Sequence, residues 1–202
     1  MISVNRTRPI SWNFRRLALI AMVGCGVVFG AGSDRVARAD ADPIGKADRI
    51  LVFKAERRLE LLRDGRVLRS YPIALGRHPH GPKRREGDGR TPEGIYRIDG
   101  RSRQSPYHRM LHISYPNAED RARARAAEVP TGGAIVLHGM PNRYGPHDPS
   151  RFFADWTDGC IAVGNIAIEE IWAAVDDGTP IEIRADASGV APMDPGPLSP
   201  AR

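Results

Sequence analysis

His138 and Cys160 are the residues most able to do covalent chemistry, and they stand 22 positions apart in the stretch IVLHGMPNRYGPHDPSRFFADWTDGCIAVG, residues 135–164. An apolar run from Ala134 to Leu137 leads into His138-Gly139, and the stretch closes on Thr157-Asp158-Gly159-Cys160-Ile161. Between them Pro, Gly, Asn and Asp describe a loop long enough to bring an imidazole back to a thiol. A free thiol with a pKa of about 8.5 is mostly protonated at neutral pH, whereas the thiolate is the nucleophile. An imidazole that takes or balances that proton therefore activates it. Gly159 gives the backbone before Cys160 access to unusual conformations, in which nearby amides can face an oxyanion forming on an attacked carbonyl.

His-Gly, a loop, then Ser/Thr-x-Gly-Cys-Ile/Val resembles the catalytic signature of the L,D-transpeptidase (YkuD-type) domain, a family of cell-wall enzymes with a cysteine nucleophile. The resemblance implies Cys160 as nucleophile, His138 as general base and acid, Thr157 at the Ser/Thr position, Gly159 and Cys160 at the oxyanion hole, and Thr157 and Asp158 as orienting residues beside them. Thr91-Pro92-Glu93-Gly94-Ile95-Tyr96 is similar to a Thr-Pro-x-Gly-x-Tyr/Phe segment of the same family. Two places depart from the pattern. Ala162-Val163 stand where many members carry Arg or Asn, and Asp158 stands where His, Lys or an apolar residue is common. Both border the substrate, so the reaction class is implied and the acceptor stays open.

The implied reaction is acyl transfer on peptidoglycan stem peptides through a Cys160 thioester, with no cofactor. A diamino-acid side chain as acceptor gives a 3–3 crosslink, a protein lysine anchors a lipoprotein, and water makes the enzyme an L,D-endopeptidase or carboxypeptidase. Two other classes are weighed beside it. His138, His147, Asp148, Asp155 and Cys160 could ligate a metal, but they lack the close paired spacing of common zinc sites. A non-catalytic wall-binding module would leave Cys160 unused. His147 lies in a Gly-Pro-His-Asp-Pro loop and is the weaker candidate for the base. Tyr96, His112, Arg143 and Gly139 are candidates to line the substrate groove, and Trp156 reads as packing.

The whole chain carries 30 basic and 24 acidic residues, which invites a nucleic-acid reading. Arg6, Arg8, Arg15 and Arg16, the apolar run from Leu17 to Gly32 and Ala37-Arg38-Ala39 together describe a secretory signal peptide over residues 1–39. Without it, 24 basic residues face 23 acidic ones, so the basicity belongs to the export signal and a nucleic-acid partner is not expected. Removal of Cys25 with the leader leaves Cys160 as the single thiol, which excludes an intrachain disulfide. The expected location is the periplasm or cell envelope, with the membrane touched only by the export signal. Lys83-Arg84-Arg85 survives as a basic stretch without interleaved aromatics. It reads as a solvated loop or as a surface for an acidic polymer such as peptidoglycan stem carboxylates.

Residues 40–46 read as a linker, 47–185 as one catalytic domain, and 186–202 as a disordered Pro/Gly-rich tail. The domain opens on Ile50-Leu51-Val52-Phe53 and continues as a meander whose Asp64-Gly65 pair is a hairpin turn signal. Tyr96 and Ile98 alternate with Arg97 as in a half-buried strand, and Leu111–Tyr115 and Ala134–Leu137 supply further strands. Asn117 is expected to cap a short surface helix to Glu128, and Asn165 a second helix with Ile168, Ile171, Trp172 and Val175 on one face and Gly178 at its end. A last strand follows Pro180. Short strands dominate, so the chain reads as mainly β, and the resemblance implies the single β-sandwich or barrel of the L,D-transpeptidase domain with a few short helices.

Overall fold

The computed structural model describes residues 44–143 and 154–188. The leader read at 1–39, His147, Asp148 and the tail beyond Ser188 lie outside the described residues.

Strands β1 (Arg49–Phe53), β2 (Arg58–Arg63) and β3 (Arg66–Pro72) form the expected meander. The turn between β2 and β3 places Asp64 at φ 50° and Gly65 at φ 76°, the paired positive φ values that a tight hairpin turn demands. The remaining elements are β4 (Gly94–Ser105), β5 (His108–Ile113), α1 (Ala118–Ala126), β6 (Ile135–His138), β7 (Ile161–Ala162), α2 (Asn165–Ala174) and β8 (Pro180–Arg184). They hydrogen-bond in the order β3-β2-β1-β8-β4-β5-β6-β7. The β1–β8 and β6–β7 pairs are parallel and the others antiparallel.

One long strand bends this sheet. Residues Gly94–Arg97 of β4 pair with β8, while Ile98–Ser105 pair with β5 through register shifts at Ile98/Gly100 and Ser102/Ser105. Such irregularities add local twist and re-aim a strand. The two ends of the sheet consequently meet. Ala74, just past β3, exchanges two backbone hydrogen bonds of 2.9 Å with Ala162 of β7, and Gly76 bridges Thr157. The architecture is mainly β and rolled toward closure, around a core that includes Ile50, Leu59, Leu61, Ile98, Leu111, Leu137, Ile161 and Ile181.

The helices depart in detail from expectation. Asn117 caps α1 in a capping box with Asp120, as read from the sequence. Although α1 was expected to bury little, Asp120 and Ala124 are buried. Gly164, not Asn165, is the N-cap of α2. The Asn165 side chain is drawn away to accept the Met140 amide at 2.8 Å. Val175 caps the other end, and Gly178, at φ 91°, shapes the turn into β8 instead.

In the loop 77–92 Arg84 and Arg85 are solvated, as expected, but Lys83 is not. Lys83 is buried and donates to Asp88 Oδ1 at 2.9 Å and to the Arg85 carbonyl at 3.1 Å. Asp88 also accepts the backbone amides of Arg84, Arg85 and Arg90. Burial alone would raise its pKa, but these bonds outweigh it and hold the carboxyl at about 2. Lys54, also buried, ties the base of the loop by donating to the Gly81 and Thr91 carbonyls and to Glu93. Burial pushes its pKa down, against the pull of Glu93.

Candidate active site

The register of β6 against β7 sets the geometry. Leu137 pairs with Ile161 and His138 with Ala162. Leu137 and Ile161 are fully buried in the core. Alternation along a strand therefore sends their neighbours, His138 and Cys160, to the opposite face. Cys160, one residue before β7, is partly exposed, and the backbone of Val136, two residues before His138, acts on its thiol. On the same face, His112 and Met110 of β5 pair with Val136 and His138.

Aromatic rings fix the imidazole. The Tyr107 ring lies 4.5 Å from that of His138, and Trp156 meets it edge-on at 5.7 Å. His138 Nδ1 lies 2.7 Å from the Gly139 carbonyl. A carbonyl can only accept, so Nδ1 carries the proton and Nε2 keeps the lone pair. Burial pushes the His138 pKa down, and the Gly139 contact opposes it. Burial likewise pushes the Cys160 thiol up, assisted by the Asp158 charge and opposed by the Val136 backbone and Lys83. Both groups are therefore uncharged at neutral pH. Attack by such a thiol requires its proton to leave as the sulfur bonds carbon.

The Thr157–Cys160 turn is clamped from within. Thr157 Oγ1 donates to the Cys160 carbonyl at 2.7 Å and accepts the Gly159 amide at 3.1 Å. The Gly159 amide, expected at an oxyanion hole, is thus already used. Among the described residues nothing accepts the Cys160 amide, which leaves that N–H as the donor this turn can offer. What Gly159 contributes is conformation: its φ is 130°, and a Cβ there would come within 2.6 Å of the Arg90 carbonyl. Asp158 is exposed and ion-paired to Arg77 at 2.9 Å, so it stands on the rim and not in the hole.

The weaker groove candidates divide. His112 shares the His138 face and is paired with Asp99. Arg143 is exposed beyond Gly139. Tyr96 does not line a groove: it is 2% exposed and its hydroxyl donates to Asp120, because it fills the space between β4 and α1. Gly139 does not either, since a Cβ there would meet Asn165 Oδ1 at 2.8 Å and Ile168 at 3.0 Å. It is a glycine so that α2 can pack close. Asp155, weighed as a metal ligand, is held by Arg57 through both carboxylate oxygens and accepts the Leu75 amide. His147 and Asp148 fall outside the described residues. Sequence reasoning missed Tyr107 as the ring that covers His138, and Asp155 as the anchor of the loop before Thr157. The only signals were an aromatic outside the quoted motifs and an acid two residues before Thr157 that was weighed only as a metal ligand.

This site on a rolled sheet is matched by the L,D-transpeptidase catalytic domain (YkuD) over residues 47–183, and the chain belongs to that family. It is 32% identical over 113 residues to YafK of Escherichia coli (strain K12), named as a candidate L,D-transpeptidase, which covers 54% of this chain and 37% of YafK. Among solved structures it resembles the helical cell shape determining protein Pgp2 of Campylobacter jejuni, with 25% identity and a TM-score of 0.53 over 70% of this chain and 49% of that one. The chain thus spans half or less of the length of either relative. Among the described residues no helix is long and apolar enough to cross a membrane.

Proposed function

We propose that the protein is an exported, cysteine-dependent L,D-transpeptidase that acts on peptidoglycan stem peptides in the periplasm or cell envelope. The observation that carries this reading is the parallel β6–β7 pairing, which sets His138 and Cys160 on one face of the sheet with the thiol partly exposed. In the reaction Cys160 Sγ attacks the carbonyl of the third stem residue, and the thiol proton passes to His138 Nε2. The Cys160 amide faces the resulting oxyanion. The C–N bond to the terminal D-residue then breaks, and the imidazolium returns its proton to the leaving amine. A second amine attacks the thioester, loses its proton to His138 and restores the thiol. The acceptor is a diamino-acid side chain of a second stem, giving a crosslink.

Mass spectrometry of muropeptides incubated with the purified protein, with Cys160→Ala as the blank, tests this. Cysteine-dependent dimers that have lost the terminal D-residue are the expected products. Cysteine-dependent shortening or splitting without dimers would replace the amine acceptor by water, and modification of a lysine-bearing lipoprotein would replace it by a protein. Identical profiles from parent and variant would remove the enzymatic reading on these donors.

A further inference from the structure

Beside the nucleophile turn lies a cleft of about 440 Å³ lined by His78, Arg84, Arg85, Gly87, Asp88 and Arg90. Four arginines elsewhere in the described chain are paired with acids: Arg57 with Asp155, Arg77 with Asp158, Arg101 with Asp177 and Arg109 with Glu169. The guanidinium groups of Arg84, Arg85 and Arg90 have no hydrogen-bond or ion-pair partner among the described residues. The one carboxylate at the cleft is already engaged, since Asp88 is bonded by Lys83 Nζ and by three backbone amides. Those amides belong to the same three arginines. The half-buried Asp88 therefore holds the backbone that gathers the cations, while Lys83 compensates its charge. Three unpaired guanidinium groups over one fixed loop repel one another and present planar donor forks suited to carboxylate.

The cleft adjoins the reaction centre. The Arg90 carbonyl lies against Gly159, the residue before Cys160. His78, on the cleft wall, follows Arg77, whose amide donates to the Thr157 carbonyl at 3.0 Å and whose guanidinium pairs with Asp158.

We infer that this cleft is a carboxylate subsite, in which Arg84, Arg85 and Arg90 hold a free carboxylate of the stem peptide while its scissile carbonyl lies at Cys160. The inference rests on the reading of stem peptides as substrate, and it adds which chemical group of the substrate is gripped and by what. A charge-assisted arginine–carboxylate contact corresponds to about tenfold or more in affinity.

The test is binding without turnover. In the Cys160→Ala background, isothermal titration compares a stem tetrapeptide bearing free carboxylates with the same peptide amidated, and repeats both with R84Q/R85Q. The acid should bind about tenfold more tightly than the amide in the parent, and that preference should fall to near unity in the variant. Both side chains are exposed and unpartnered, so the melting temperature should not move. R85E offers a second variant and should reverse the preference toward the amide. Equal affinity for acid and amide in the parent, no binding of either, or an undiminished preference in R84Q/R85Q would overturn the subsite. Acid preference without Cys160-dependent chemistry would overturn the catalytic reading and leave the subsite. Chemistry without the preference would do the reverse.

Discussion

Replacing Thr157 by valine keeps the shape of a buried side chain and removes one oxygen, which serves two backbone groups. That oxygen donates to the Cys160 carbonyl at 2.7 Å and accepts the Gly159 amide at 3.1 Å, in a residue only 5% exposed. Each bond contributes about 1 kcal/mol net, and an amide left buried without a partner costs about 1–3 kcal/mol. Together they predict a loss of about 2–4 kcal/mol, or about 6–12 °C in Tm at about 3 °C per kcal/mol for a domain of this size. The same clamp fixes the turn that presents the thiol, so kcat should fall at least about tenfold while KM stays nearly constant. Thr157→Ser retains the hydroxyl and should recover most of both quantities. Chemical denaturation, together with turnover of a stem-peptide donor, measures the two effects. A valine variant within about 0.5 kcal/mol of the parent, with unchanged kcat and unchanged Cys160 alkylation, would refute the clamp.

Four further outcomes follow from the same geometry. His138→Ala should lower turnover by about 10²–10⁴-fold with the fold retained, measured by release of the terminal D-residue. Because burial depresses the His138 pKa and raises that of Cys160, Cys160 alkylation by iodoacetamide should climb with pH past 9; a plateau at neutral pH would mean a preformed thiolate–imidazolium pair instead. Gly159→Ala forces a Cβ to within 2.6 Å of the Arg90 carbonyl at a positive φ and should cost about 1–3 kcal/mol, read as a shift in the denaturation midpoint. Asp88, held at about 2 when folded, contributes about 2 kcal/mol that is present above its unfolded pKa near 3.8 and lost as pH falls through 2; Asp88→Asn should show that loss already at pH 7.

What was legible in the sequence was what short-range patterns encode. Asp64-Gly65 specified its hairpin because only particular residues tolerate two successive positive φ values. Asn117 specified α1 through a capping box closed within three residues. His-Gly and Thr-Asp-Gly-Cys marked the two segments that the β6–β7 pairing brings side by side. Illegible were the partnerships made across the fold. Asn165 is an equally good cap on paper, yet the Met140 amide, 25 positions away, takes its oxygen. Tyr96 lies in a segment similar to the family's, and its alternation said correctly that one side of β4 is buried. It could not say that Asp120 of α1 waits for the hydroxyl. Lys83 sits among arginines and looks solvated until Asp88, five positions on, is seen to draw it inside.

Those long-range partnerships also explain how so short a segment around Cys160 is held in place. β7 is only two residues long, too little to fix a strand by its own ladder. Its position is set from both sides, by β6 through the Leu137 and His138 register and by Ala74 through the reciprocal bonds to Ala162. The preceding turn is fixed by Thr157 within itself and by Leu75 and Arg77, which bond its backbone. Asp155 extends the attachment to Arg57, on the turn between β1 and β2. The thiol is therefore presented by a segment whose geometry depends on sheet closure, and any substitution that opens the Ala74–Ala162 seam should reduce Cys160 chemistry before it reduces secondary structure.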